Sequence, residues 1–106
     1  GEEFDTVILD PAKMTRDREQ VIPALKKYLD MNKLALGVVK PGGIFVTCSC
    51  TGLVSEEQFL DMIRRAAFYA NRQVQILEVR GAGPDHPWLA HVQDSRYLKA
   101  VFCRVF

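Results

Sequence analysis

The segment Pro41–Gly52, PGGIFVTCSCTG, sets the tightest limit on what this chain can fold into. Pro41-Gly42-Gly43 is turn chemistry, since proline fixes φ and glycine tolerates positive φ. Ile44-Phe45-Val46-Thr47 is a short run of β-branched and aromatic residues without polar alternation, which predicts a buried strand. The run passes directly into Cys48-Ser49-Cys50-Thr51-Gly52. Ser55 then opens a helix through the capping-box spacing Ser55-Glu56-Glu57-Gln58. A buried strand that hands over to a helix is the building unit of an α/β sheet. In open sheets of that kind, ligands bind outside the carboxyl ends of the strands. Two thiols, Cys48 and Cys50, stand at such an end.

The rest of the chain supplies matching elements. Phe4–Asp10, FDTVILD, is a second near-continuous apolar run, as in strands of parallel sheets buried on both faces. Pro11 cannot continue a ladder, so Asp10 also lies at a strand's carboxyl end, where an aspartate is otherwise a turn cap. Ala12–Gln20 is polar and reads as a loop or a ragged helical start. Pro23 fits the first turn of a helix. Leu25, Leu29, Asn32, Leu34, Leu36, Val38 and Val39 then make that helix apolar on more than one side. Lys26 and Lys27 read as its solvated face. Phe59, Met62, Ile63, Ala66, Ala67 and Ala70 recur at helical spacing and predict an amphipathic helix that ends at Asn71-Arg72. Val74–Arg80 predicts a third strand, and Tyr97–Phe106 a last one. Between them, Gly81–Arg96 is a long loop carrying His86, His91 and Trp88. Strand, helix, strand, helix, strand implies right-handed parallel crossovers between adjacent strands. The last connection has no helix, so the last strand is antiparallel to the one before. The expected fold is one α/β domain over residues 1–106, with helices packed on a mostly parallel sheet.

Composition narrows the function. A net charge of +1 gives no whole-chain attraction to nucleic acid, so any basic patch must be local. No apolar run approaches the length of a membrane span. Cys48 and Cys50 share one face of a strand and cannot bridge each other. With Cys103 the thiol count is odd, which points to free thiols in a reducing cytoplasm. Cys103 alternates with Phe102 and Arg104 and reads as packing. Asp10 and the two thiols would face one cleft if their strands are neighbours, and an acid beside a thiol suits covalent catalysis. A metal site from Cys48, Cys50 and a histidine has too few ligands at recognised spacing. A cysteine–histidine hydrolase lacks an orienting third group and an oxyanion hole. His86, between Asp85 and Pro87, reads first as a turn residue. No GxGxxG motif occurs, so the chain shows no dinucleotide grip of its own.

Five blocks in order — FDTVILDPAKM, KKYLDMNKLALGVVKPGG, IFVTCSCTG, PDHP and RYLKAVFCRV — resemble the carboxyl-terminal half of a class I S-adenosylmethionine (SAM)-dependent methyltransferase. Within that class they are similar to the PUA-domain-containing ribosomal RNA methyltransferases that make 5-methylcytosine in the large subunit. The resemblance implies a partial Rossmann-like methyltransferase fold, strands four to seven of a seven-stranded sheet, with the last strand inserted antiparallel between the fifth and sixth. It implies that Asp10-Pro11 lines the target-base pocket and adjoins the SAM site. Ala12 and Met14 depart from the family's second proline and phenylalanine there. Ser49-Cys50-Thr51-Gly52 matches the family's nucleophile pattern and makes Cys50 the nucleophile. Thr47-Cys48-Ser49 matches the pattern of more distant cytosine methyltransferases and makes Cys48 a second candidate. Pro11, Lys13, Tyr28 and His86 complete the implied substrate-binding set. The implied cofactor is SAM, the implied partner RNA, and the implied reaction 5-methylcytosine formation through a cysteine–cytosine adduct.

In the family, the donor-binding loop, the acid that holds the donor ribose and the PUA domain precede the position of Gly1. The chain alone is therefore expected to be inactive and not to bind SAM, and its first strand is expected to self-associate as a homodimer edge. Two alternatives accompany this reading. One is an amino-group methyltransferase that uses Asp10-Pro11 and no thiol. The other is a non-enzymatic RNA- or protein-binding module of the same fold.

Overall fold

The structure is a computed structural model that describes residues 2–10, 21–49, 54–81 and 99–106. Its elements are β1 (Phe4–Leu9), α1 (Val21–Leu36), β2 (Val39–Ser49), α2 (Glu56–Tyr69), β3 (Val74–Gly81) and β4 (Lys99–Val105). The four strands form one sheet in the order β1-β2-β4-β3. β1 and β2 are parallel, and β4 is antiparallel to both β2 and β3. The path from β1 through α1 to β2 and the path from β2 through α2 to β3 step the same way across the sheet. Crossovers of one hand that step one way place their helices on one face. α1 and α2 accordingly bury a common core with β2 and β4, built from Ala24, Tyr28, Leu36, Phe59, Met62, Ile63, Ala66, Phe45, Val101, Cys103 and Val105.

Two expectations need correction. Strands joined by one helix lie side by side for β1 and β2, but β4 separates β2 from β3. Burial explains the insertion. Val101, Cys103 and Val105 of β4 are fully buried, whereas every residue of β3 keeps some exposure and suits a sheet edge. The implied insertion of the last strand is therefore what the fold shows. The second correction concerns Val38, Val39 and the Pro-Gly-Gly turn. α1 stops at Leu36, and β2 begins at Val39, ahead of the turn. Phe4 pairs with Val39 and Thr6 with Ile44, so Lys40–Gly43 bulges out of the ladder between them. Gly42 takes φ 84° in the bulge. A Cβ on Gly43 would lie 2.8 Å from the Asp5 carbonyl oxygen and 2.9 Å from that of Lys40. β1 can run past the bulge only because that position has no side chain.

α2 follows its local code. The Gln58 N–H donates to Ser55 Oγ at 3.0 Å and the Ser55 N–H donates to Gln58 Oε1 at 2.9 Å. At its far end Asn71 adopts φ 57°. The Arg72 N–H donates to the Ala67 carbonyl at 2.9 Å and the Asn71 N–H to that of Phe68 at 3.1 Å, which is the Schellman arrangement. Ala66 and Ala67 are buried, as close packing of small residues requires.

Cys103 lies fully buried in the middle of the sheet, and desolvation pushes its thiol from 9.0 up to about 11. The unfolded chain then loses this proton at lower pH than the folded one. Stability from this group is intact below pH 9.0 and declines as pH rises toward about 11. The slope is about 1.4 kcal/mol per pH unit across that window. Urea titrations between these limits should show the decline, and Cys103→Val should flatten it by that amount. An identical slope in the variant would assign the effect to other groups.

Candidate active site at the strand ends

The carboxyl ends of β1 and β2 meet at one edge of the sheet. Leu9 and Thr47 form the last pair between these strands, so Asp10 and Cys48 stand level, one residue further on each. β4 starts at the same edge, with Lys99 opposite Ser49 and Ala100 opposite Cys48, and β3 ends there, with Gly81 opposite Lys99. The register thus sets Asp10 and Cys48 side by side at this end of the sheet. Asp10 is exposed, Cys48 half-buried, and Thr47 and Ser49 fully buried. This alternation follows from the two-residue period of a strand. Thr47 and Ser49 face α1, and Cys48 faces the side away from the helices.

Beneath that end lies a polar network between α1 and β2. The Thr47 hydroxyl donates to Asn32 Oδ1 at 2.6 Å. Asn32 Nδ2 donates to the Tyr28 carbonyl at 2.7 Å. The Ser49 hydroxyl donates to the Tyr28 hydroxyl at 3.3 Å. Edge-on contact with Phe59 at 6.0 Å between centroids holds the Tyr28 ring. Tyr28 is fully buried and turned into the core. Cys50 follows Ser49 directly in the sequence, and Cys50, Pro11, Lys13 and His86 lie outside the described residues. Lys26 and Lys27 are exposed, as a solvated helix face requires.

The network was not anticipated from the sequence, where Asn32 stands in an otherwise apolar helical series. A usable signal was present. Ala24, Tyr28, Asn32 and Leu36 recur every four residues and are all buried. A polar residue on such a stripe must find a buried partner.

No family model matches the chain. Among solved structures, SMU.776, a methyltransferase complexed with SAH, superposes with a TM-score of 0.72 at 18% identity over 97% of this chain and 26% of its own. A SAM-dependent methyltransferase from Streptococcus mutans gives 0.69 at 17% identity over the same shares, 97% and 26%. Trm5b from Pyrococcus abyssi gives 0.59 at 17% identity over 99% of this chain and 26% of its own. At these identities the likeness establishes the α/β methyltransferase-like fold. Sequence reaches further. Ribosomal RNA large subunit methyltransferase I from Salmonella arizonae is 41% identical over 105 residues, which is 99% of this chain and 26% of the relative. The proteins of the same name from Salmonella newport and Salmonella heidelberg match equally, at 41% over 105 residues. The chain is homologous to part of that methyltransferase. It spans about a quarter of the length of these ribosomal RNA large subunit methyltransferase I relatives, 26% of each. Among the described residues, no helix is long and apolar enough to cross a membrane.

Proposed function

We propose that this chain is the carboxyl-terminal part of the catalytic domain of a SAM-dependent ribosomal RNA methyltransferase of the cytoplasm, and that its product is 5-methylcytosine. The observation that carries this reading is the 41% identity over 105 residues to ribosomal RNA large subunit methyltransferase I. The level placement of Asp10 and Cys48 at the strand ends supports the base chosen. Carbon 5 of cytosine is a weak nucleophile and needs activation from carbon 6, for which a thiolate is suited. Asp10 and Pro11 would border both the donor and the target base, and Asp10 is exposed at the sheet edge where ligands collect. The target base must be unpaired or flipped out to reach that edge. Among the substrate-binding residues, Lys13 and His86 are proposed to contact RNA. The relatives' names favour neither the amino-group alternative nor the non-enzymatic one.

The test is methyl transfer from labelled SAM to large-subunit ribosomal RNA by the longer protein that contains this chain. Digestion to nucleosides should place the label in 5-methylcytidine. Label in an N-methylated nucleoside would favour the amino-group reading, and absence of label with donor bound would favour a binding module.

Homodimerisation is proposed through β1. It is an outer strand, and among the described residues nothing pairs with its far side. Phe4 is 48% exposed and Ile8 68%. An apolar edge strand of this kind templates pairing with another chain. Sedimentation across a concentration series should show a dimer of the 106-residue chain, and Ile8→Lys should shift it toward monomer. A monomer throughout the series would exclude the edge as an interface.

A further inference from the structure

We infer that Tyr28 and Asn32 are positioning residues that fix the carboxyl end of β2 against α1, and with it the setting of Cys48 at that end. The inference rests on the proposed reading only in taking that end as the site of chemistry.

The first observation is where the polar groups are. Among the described residues, the fully buried polar side chains are Asn32, Thr47 and Ser49. All three belong to this network, together with the fully buried Tyr28. The rest of the helix–sheet core is apolar. Polar pairs in such a core add little net stability, since apolar groups of the same shape can replace both partners at nearly equal free energy. What hydrogen bonds supply in a core is a defined relative position. That definition is concentrated at one end of one strand, the end that bears Cys48.

The second observation is the ladder. β1 supports β2 only as far as Thr47, opposite Leu9. Beyond it, among the described residues, the pairing continues with β4, to Ser49 opposite Lys99. The Ser49–Tyr28 and Thr47–Asn32 bonds begin where support from β1 ends. Among the described residues, they add tethers from the helix where pairing with β1 ends. Because Thr47 and Ser49 are held on the helix side, Cys48 between them is held toward the opposite face. The edge contact of Tyr28 with Phe59 ties this tether to α2 as well.

Alkylation of the native chain with iodoacetamide, read by mass spectrometry, tests the inference with two internal reporters. Cys48 reports opening of the strand end, and the fully buried Cys103 reports global unfolding. Tyr28→Phe removes one tether while keeping the ring, and Thr47→Val removes the other at constant shape. Each should speed Cys48 labelling at least tenfold and leave Cys103 labelling unchanged. Thr47→Ser, which keeps the hydroxyl, should restore the native rate. Ser49→Ala cuts the Tyr28 tether from the strand side and serves if Tyr28→Phe fails to fold. Unchanged Cys48 labelling overturns the inference, as does a parallel rise at Cys103, which would mean general destabilisation. If labelling responds as expected but methyl transfer survives loss of both thiols, the positioning role stands and the covalent mechanism falls.

Discussion

Arg72→Ala should lower the unfolding free energy of the chain by about 3–4 kcal/mol, a large fraction of what a domain this size has. Arg72 follows the Schellman turn of α2, and its guanidinium gathers three carbonyls from distant segments. Nη1 donates to Leu36 at 2.6 Å, Nη2 to Val39 at 2.7 Å and Nε to Phe106 at 3.0 Å. Leu36 is the last residue of α1, so the positive charge also sits at the negative end of that helix's dipole. Hydrogen bonds from a charged donor contribute more than neutral ones, about 1.5–3 kcal/mol each, and these three are partly screened because the site is half-exposed. Arg72→Lys keeps the charge but cannot span three acceptors with one ammonium, and should recover less than half of the loss. Urea denaturation at constant m-value would measure both. A loss below about 1 kcal/mol for Arg72→Ala would show that the three carbonyls are equally well served by water.

Arg72 illustrates which parts of the fold the sequence could not disclose. Its partners lie 33 to 36 residues away, and the local pattern marks only a helix end. α2 was legible because its signals are local. Ser55 and Gln58 meet within one turn, and the buried stripe from Phe59 to Ala67 keeps a single period. α1 and β2 were less so. Val38 and Val39 continue an apolar run, and only the pairing of Phe4 with Val39 moves them from helix to sheet. Pro41-Gly42-Gly43 is turn chemistry in either case. That the turn lies inside a strand follows from the ladder resuming at Thr6 and Ile44. The position of β4 depends on tertiary competition for the sheet interior, which no short window contains. It was reached by resemblance and not by periodicity.

The site was legible in part for the same reason. Asp10 and Cys48 each stand at the end of an apolar run, and parallel pairing of neighbouring strands makes them level. The network of Tyr28, Asn32, Thr47 and Ser49 joins residues 15 and 21 positions apart, and hydroxyls on a strand carry no sequence mark of their partners. Tyr28 was expected at the substrate because it lies in a block shared with methyltransferases. Its burial against Phe59 and its bond to Ser49 support a role beneath the site.

Cys50→Ala should abolish methyl transfer in the longer protein that contains this chain, while SAM binding persists. In the proposed reaction the thiolate bonds to carbon 6 of the cytosine, and the displaced electron pair makes carbon 5 enamine-like. Carbon 5 then takes the methyl group from the sulfonium donor, whose sulfur keeps the electron pair of the broken bond. A base removes the carbon 5 proton, the pair returns to the ring, and the thiolate leaves carbon 6. Without the thiol, carbon 5 has no comparable route to nucleophilic character, so the loss should be to background and not a few-fold. Asp10 is proposed to hydrogen-bond the ring edge in the adduct, so Asp10→Asn should depress turnover without preventing adduct formation. Cys48 separates the two nucleophile assignments. Its position between Thr47 and Ser49 is held by the network, and Cys48→Ala should leave transfer largely intact. Activity lost in Cys48→Ala and retained in Cys50→Ala would reverse the assignment. RNA carrying 5-fluorocytosine offers a second readout, because a fluorine in place of the carbon 5 proton cannot be removed by a base. The adduct should then persist on Cys50 and be mapped there by peptide mass spectrometry. Retained transfer in both single variants and in the double variant, with no trapped adduct, would remove the thiol from the mechanism and leave Asp10 as the residue to explain.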